Sequence, residues 1–323
     1  MFIFGETIDD IMKKTFDAIL KDGIEVNPTK GKTKELSGVL LKLTNPLGRL
    51  SRTEGKGTIY SCLGELLWYL SGSNSLAQIQ YYLKNYHQYS DDNKTIFGAY
   101  GPRLFGPNGQ FQNIINALKK GSETRKAVIQ LFSSSDIQTS HKDVPCTCVL
   151  QFMIRNEKLH LYTCMRSNDA YKGLPHDVFS FTMLQELAAR KLEIPIGEYS
   201  HYVTSLHIYT EDLEKIELYQ KEGWQEKIFM PEMPNGDQTK NILRLLKHER
   251  ELRLNNEIAS ARHTEDYWND LTSLLQIFNI SKNNNCDSRL TEITSSIKNN
   301  ELKILASRKI GSSQANGGNF VYL

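Results

Sequence analysis

Two apolar runs near the middle of this 323-residue chain, Cys148 to Ile154 and Leu159 to Cys164, constrain its fold most. Their character reads as buried strands, so the polar residues around them fall at strand ends facing a common cleft. Those flanks are DVPC before the first run and MRSNDAYKGLPHDV after the second. They carry a proline-flanked cysteine (Cys146), an arginine–serine pair (Arg166, Ser167), a Gly-Leu-Pro turn and an acid, Asp177. A cleft with a nucleophile, a cation and an acid is the arrangement expected of an active site.

The rest of the chain alternates helices and strands, which gives a mixed α/β (α+β) class. Apolar spacing predicts helices over residues 7–22, 58–72, 76–89, 110–120 and 178–191, and strands over 37–43 and up to His207. The helix at 58–72 is strongly apolar with one acid, Glu65, in its middle. Such a charge is exposed, partnered or held for function, because burying it alone is costly. Tyr86 and Tyr89 are expected one turn apart at the end of the 76–89 helix, where packing is their plainest role. Lys30, Lys32 and Lys34 stand around Gly31 in a polar loop, which is a solvated connection or a flexible clasp for phosphate. Arg125 and Lys126 stand at the mouth of a strand, as surface charge or as phosphate ligands.

Beyond about Gly223 the composition shifts to helical, polar-interrupted sequence. This divides the chain into a catalytic region, 1–235, and a mostly helical extension, 236–323, with a flexible glycine- and serine-rich tail. A net charge of +2 gives no electrostatic case for coating nucleic acid. No apolar run reaches membrane-span length, and MFIFGETIDD lacks a basic leader, so a cytoplasmic protein is expected. Five cysteines, mostly in apolar segments, disfavour a disulfide framework. The Cys146–Cys148 spacing is not CxxC and has no second pair, so no metal is expected.

The ordered segments GELLWYL, AYG, RKAVIQL, PC, LQF, MRSNDAYKGLPHDV and LHIY, between Ile59 and Tyr209, resemble the thymidylate synthase family. The resemblance implies a mixed sheet with flanking helices, a homodimer joined through the sheet, and two small-molecule substrates, a pyrimidine nucleotide and 5,10-methylenetetrahydrofolate. It implies that Cys146 adds to C6 of the pyrimidine, with Glu65 and Tyr100 managing protons. Arg166 and Ser167, with Arg125 and Lys126 from the partner chain, would hold the 5′-phosphate; His207 and Tyr209 would bond the sugar. Asp169 and Gly173, with Tyr86 and Tyr89, would face the folate.

Departures from the family's pattern point to a particular branch. Where uracil-specific members carry Asn, this chain has Asp177, whose carboxyl suits the N4 amino group and N3 of cytosine. Uracil would face that carboxyl with acceptor against acceptor. Tyr86 and Tyr89 replace two tryptophans, and their hydroxyls can order a water where indoles would exclude it. Thr147, His176 and Lys126 also differ from the pattern, and Lys30 is the substitute for a missing N-terminal phosphate-binding arginine. The reading is a cytidylate 5-hydroxymethylase acting on CMP or dCMP, with Lys126 and Ala170 leaning toward the ribonucleotide. The alternatives are a thymidylate synthase acting on dUMP and a silent homologue binding nucleotide or RNA.

Overall fold

The computed structural model describes residues 1–53, 58–223, 226–255, 263–282 and 288–315. Its strands are β1 (Phe2–Gly5), β2 (Ile24–Val26), β3 (Thr33–Leu43), β4 (Val128–Gln130), β5 (Thr147–Arg155), β6 (Lys158–Asp169) and β7 (Ile196–Tyr209). They form one mixed sheet in the order β1-β3-β7-β6-β5-β4, with β2 also on β3. The β1/β3 and β6/β7 pairs are parallel; β2/β3, β3/β7, β5/β6 and β4/β5 are antiparallel.

The helices before the sheet's central strands are α1 (Ile8–Asp22), α2 (Ile59–Leu70), α3 (Leu76–Tyr82), α4 (Tyr100–Phe105) and α5 (Gln110–Lys120). After β6 come α6 (Gly173–Leu192), α7 (Leu213–Lys221), α8 (Thr239–Asn255), α9 (Asp266–Lys282), α10 (Ser288–Ser296) and α11 (Asn300–Ala315). None of the described helices is long and apolar enough to cross a membrane. Thr7 and Asp10 form a capping box that fixes the start of α1, worth about 1 kcal/mol.

Helix α6 is the centre of the core: it is buried nearly all round, resting on β6 on one side and on α2 on the other. A helix without a polar face needs neighbours on every side, and these two supply them. The opposite face of the sheet is open. Phe2, Leu40, Tyr202, Cys164 and Val149 lie in one straight row across five strands, and Phe2, Leu40 and Tyr202 are exposed. In the neighbouring row Phe4, Tyr162 and Val128 are exposed as well.

Several sequence expectations change in detail. The 76–89 helix breaks at Leu83, and Lys84–Tyr89 is a 3₁₀ segment. The Gly-Leu-Pro turn is instead the first turn of α6. Proline fits there because the first helical N–H groups have no intrahelical acceptor. Lys34 belongs to β3 and donates to the Leu20 carbonyl at 3.0 Å, so it has left the loop of Lys30 and Lys32. Helix α11 runs to Ala315, into the tail expected to be flexible, and the rest of that tail, residues 316–323, like Cys286, falls outside the described residues. Cys62, Cys146, Cys148 and Cys164 are free thiols.

Candidate active site

Helix α2 delivers Glu65, β5 begins one residue after Cys146, β6 ends at Asn168 and Asp169, and the first turns of α6 present Asp177. The site therefore lies over the sheet's strand ends, where α2 and α6 meet it.

Cys146 is half-buried. Burial pushes its thiol up; the charges of Arg166 and Lys30 oppose that, while Asp143 and Asp177 add to it. Burial therefore favours the neutral thiol of Cys146 over the thiolate that Arg166 and Lys30 would favour. Arg166 acts on this loop through its backbone: Nε donates to the Pro145 carbonyl at 3.0 Å and Nη2 to the Val144 carbonyl at 2.8 Å. Arg125 and Lys126 are exposed at the start of β4 and do not join this cluster within the chain. Ser167 pairs with Ser205 across β6 and β7 and is partly exposed.

Glu65 is 7% exposed and accepts the Tyr69 hydroxyl at 2.8 Å. Desolvation, assisted by the charge of Asp143 and opposed by the Tyr69 bond, raises its pKa to about 7. A carboxyl poised there can give or take a proton at neutral pH. Tyr100 donates its hydroxyl to Thr147 Oγ1 at 3.0 Å and accepts the Thr147 N–H at 3.1 Å, so the unusual Thr147 anchors it beside Cys146.

Asp177 is buried and accepts Asn168 Nδ2 at 2.7 Å. Desolvation first, then the charge of Glu65, holds it well above the ordinary carboxylate range and favours the neutral acid. A neutral carboxyl carries a donor beside its acceptor, so the acceptor-against-acceptor exclusion of uracil applies only to the ionised form. Asn168 Oδ1 is buried without a protein partner among the described residues, leaving an acceptor beside Asp177. Gly173 makes room here: a Cβ would stand 3.1 Å from Asn168 Nδ2 and 3.6 Å from Asp177 Oδ2.

Asp169 accepts the backbone N–H groups of Tyr171 and Lys172 at 2.8 and 3.0 Å, shaping the turn into α6. It stands opposite His207 across β6 and β7, and the His207 and Tyr209 rings meet edge to face at 5.3 Å. His176 bridges the Lys172 carbonyl and Ser61 Oγ, each at 2.9 Å, and so ties α6 to α2. Tyr86 meets Trp68 edge-on at 5.7 Å and Tyr89 at 5.3 Å, while Lys30 Nζ lies 4.3 Å above the Tyr89 ring. Lys30 thus reaches the cleft from its loop.

Sequence reasoning assigned no role to Asp143, Asn168 or Tyr69. Asp143 carried one usable signal, an acid three positions before Cys146. Asn168 and Tyr69 carried none, because their roles depend on partners at Asp177 and Glu65.

The thymidylate synthase family profile matches residues 11–255. A protein named deoxyuridylate hydroxymethyltransferase, from Bacillus phage SP01, is 29% identical over 241 residues, covering 67% of this chain and 63% of its own length. Another protein of that name, from Delftia phage PhiW-14, is 33% identical over 188 residues, covering 54% of this chain and 52% of its own length. The chain therefore spans less than two thirds of either relative.

Proposed function

The chain belongs to the thymidylate synthase family, and from that premise we propose that it is a folate-dependent hydroxymethyltransferase of pyrimidine nucleotides. In this reading a one-carbon unit passes from 5,10-methylenetetrahydrofolate to C5 of a cytidine monophosphate, and water completes the hydroxymethyl group. Both named relatives are hydroxymethyltransferases, which supports the reaction type.

Asp177 with the unpartnered Asn168 Oδ1 carries the cytosine reading. Two acceptors side by side suit the N4 amino group of cytosine better than the O4 carbonyl of uracil. The relatives' names favour a second reading, deoxyuridylate, and a neutral Asp177 is able to donate to O4. The lean toward a ribonucleotide is given up for dCMP. Ala170 is fully buried and its N–H donates to the His207 carbonyl at 2.8 Å, so it offers nothing to a sugar, and both relatives are named for a deoxynucleotide.

Cys146 attacks C6 of the base, which turns C5 into a nucleophile for the methylene unit. Its thiol gives up a proton as the bond forms, and Glu65, with Tyr100, manages protons at the base. Arg166 and Ser167, with Lys30 from the loop over Tyr89, take the phosphate, and His207 and Tyr209 the sugar. Asp169 and Gly173, with the Tyr86 and Tyr89 rings, line the folate side. The exposed apolar rows of the sheet are a self-complementary dimer face, through which Arg125 and Lys126 would reach the partner's phosphate site. Residues 1–235 form the catalytic region; the described helices of 236–323 support it, α8 and α9 bracing α2, which carries Glu65.

Incubation with methylenetetrahydrofolate and, separately, dCMP, CMP and dUMP, read by mass spectrometry, tests the proposal. A hydroxymethyl product from a cytidine nucleotide is expected, and it disappears in Cys146→Ser. A methyl product with dihydrofolate would overturn it, and a hydroxymethyl product from dUMP alone would select the second reading.

A further inference from the structure

Three acids of the cleft are occupied by the protein. Glu65 holds the Tyr69 hydroxyl, Asp169 holds two backbone N–H groups, and Asp177 holds the Asn168 amide. Asp143 is different: its half-buried carboxylate accepts no hydrogen bond from any described residue. Its position is nonetheless fixed. The next two carbonyls along the chain are clamped by Arg166, and the carboxylate lies against Gly98, where a Cβ would collide with Oδ2. Its charge acts on Glu65, Cys146, Tyr86 and Tyr89, so it stands among the reacting groups.

We propose that Asp143 is the base that takes a proton from the water completing the hydroxymethyl group, an assignment that rests on the hydroxymethyltransferase reading. After the folate amine has left as tetrahydrofolate, the nucleotide carries an exocyclic methylene at C5 and the Cys146 thioether at C6. Water adds to the methylene carbon: its O–H bond breaks, the proton goes to Asp143, and the new C–O bond forms. The C5–CH2 π pair moves onto the ring as a C4–C5 enolate or its amino counterpart. Collapse of that pair re-forms C5=C6 and expels the Cys146 thiolate. Nothing is oxidised or reduced, so the folate remains tetrahydrofolate.

Glu65 and Asp143 divide the work. Asp143's charge opposes ionisation of Glu65, so the pair favours one protonated and one ionised member. Burial, with the charge of Asp91, lifts the Asp143 carboxyl above the ordinary range, toward that of a base working near neutral pH, while Lys30, Arg166 and Arg103 hold it back toward the ionised form. The Tyr86 and Tyr89 rings close the same space, where hydroxyls can hold the attacking water.

The test uses Asp143→Asn in the full chain with a C5-tritiated nucleotide and methylenetetrahydrofolate, with and without 2-mercaptoethanol. Tritium release reports every step up to loss of the C5 proton, and hydroxymethyl product reports water addition. Tritium release should stay within about threefold of wild type, while hydroxymethyl product falls about a hundredfold. The added thiol should then capture the methylene as a thioether. Asp143→Ala should behave alike and regain product with formate. Hydroxymethyl formation that keeps pace with tritium release in both variants would overturn the assignment, as would parallel loss of both readouts. Absence of hydroxymethyl product from wild type with all three nucleotides would instead sink the underlying function.

Discussion

Asn168 Nδ2 donates to Asp177 Oδ2 at 2.7 Å, which makes Oδ2 an acceptor, so in the neutral acid that desolvation favours the proton falls on Oδ1. This polarity orients the carboxyl toward an edge that donates through an amino group and accepts at a ring nitrogen, as cytosine does. Asp177→Asn replaces the O–H with an amide and should move preference from cytidine to uridine nucleotides by about tenfold to a hundredfold. The ratio of kcat/KM for dCMP and dUMP measures it. An unchanged ratio would place the selector elsewhere.

Glu65 links activity to stability. Its pKa rises from 4.5 to about 7 on folding, chiefly through desolvation, so the folded protein binds the proton more tightly than the unfolded chain does. Stability from this group is fully present below about pH 4.5 and is lost as pH rises through about 7. Glu65→Gln keeps the Tyr69 hydroxyl bond and cannot ionise. It should stabilise the protein by about 1–3 kcal/mol at pH 8 and by little at pH 4.5, while turnover falls at least a hundredfold. Thermal melts at the two pH values check the sign, and equal effects at both would show that Glu65 does not titrate on unfolding in this window.

Most of the fold was legible because apolar periodicity is a local signal. Helix α5 ends where its pattern ends, and β5 and β6 contain the two apolar runs. The break at Leu83 was not legible: neither glycine nor proline marks it, and the 3₁₀ segment after it sets Tyr86 edge-on against Trp68. In the site, Cys146, Glu65, Tyr100 and Asp177 converge, whereas Arg125 and Lys126 stand apart, exposed just before β4. Charge state was the least legible property. Sequence alone shows Asp177 as an acid and Cys146 as a thiol, and burial, which sequence does not display, pushes both toward the neutral form.

Away from the chemistry, α6 is tied down by a fully buried ion pair. Glu186 accepts Arg49 Nη2 at 2.6 Å, Arg190 Nη2 at 3.3 Å and the Met233 N–H at 2.7 Å. Removing one member leaves the other charge buried without compensation. Glu186→Ala should cost about 3–5 kcal/mol, visible as a lower urea midpoint. Replacing Arg49 and Glu186 together with Met and Leu should cost much less. Equal losses in the single and double variants would show that packing, rather than charge, sets the penalty.

Tyr86 tests whether water is admitted by the aromatic wall or merely tolerated by it. Its ring meets Trp68 and Tyr89 edge-on, and burial and then the Glu65 and Asp143 charges keep its hydroxyl protonated, so it remains a donor at every accessible pH. Tyr86→Phe preserves the packing and removes the hydroxyl; Tyr86→Trp also fills the space a water would occupy. Hydroxymethyl product per tritium released from C5 should fall about threefold to tenfold in Phe and further in Trp, because one lost hydrogen bond to a water costs about 1 kcal/mol and exclusion costs more. Product and tritium release that decline together in both variants would mean that the ring positions the folate or the nucleotide. A drop confined to Trp would assign the effect to space alone and leave the Tyr86 hydroxyl without a part in ordering the water.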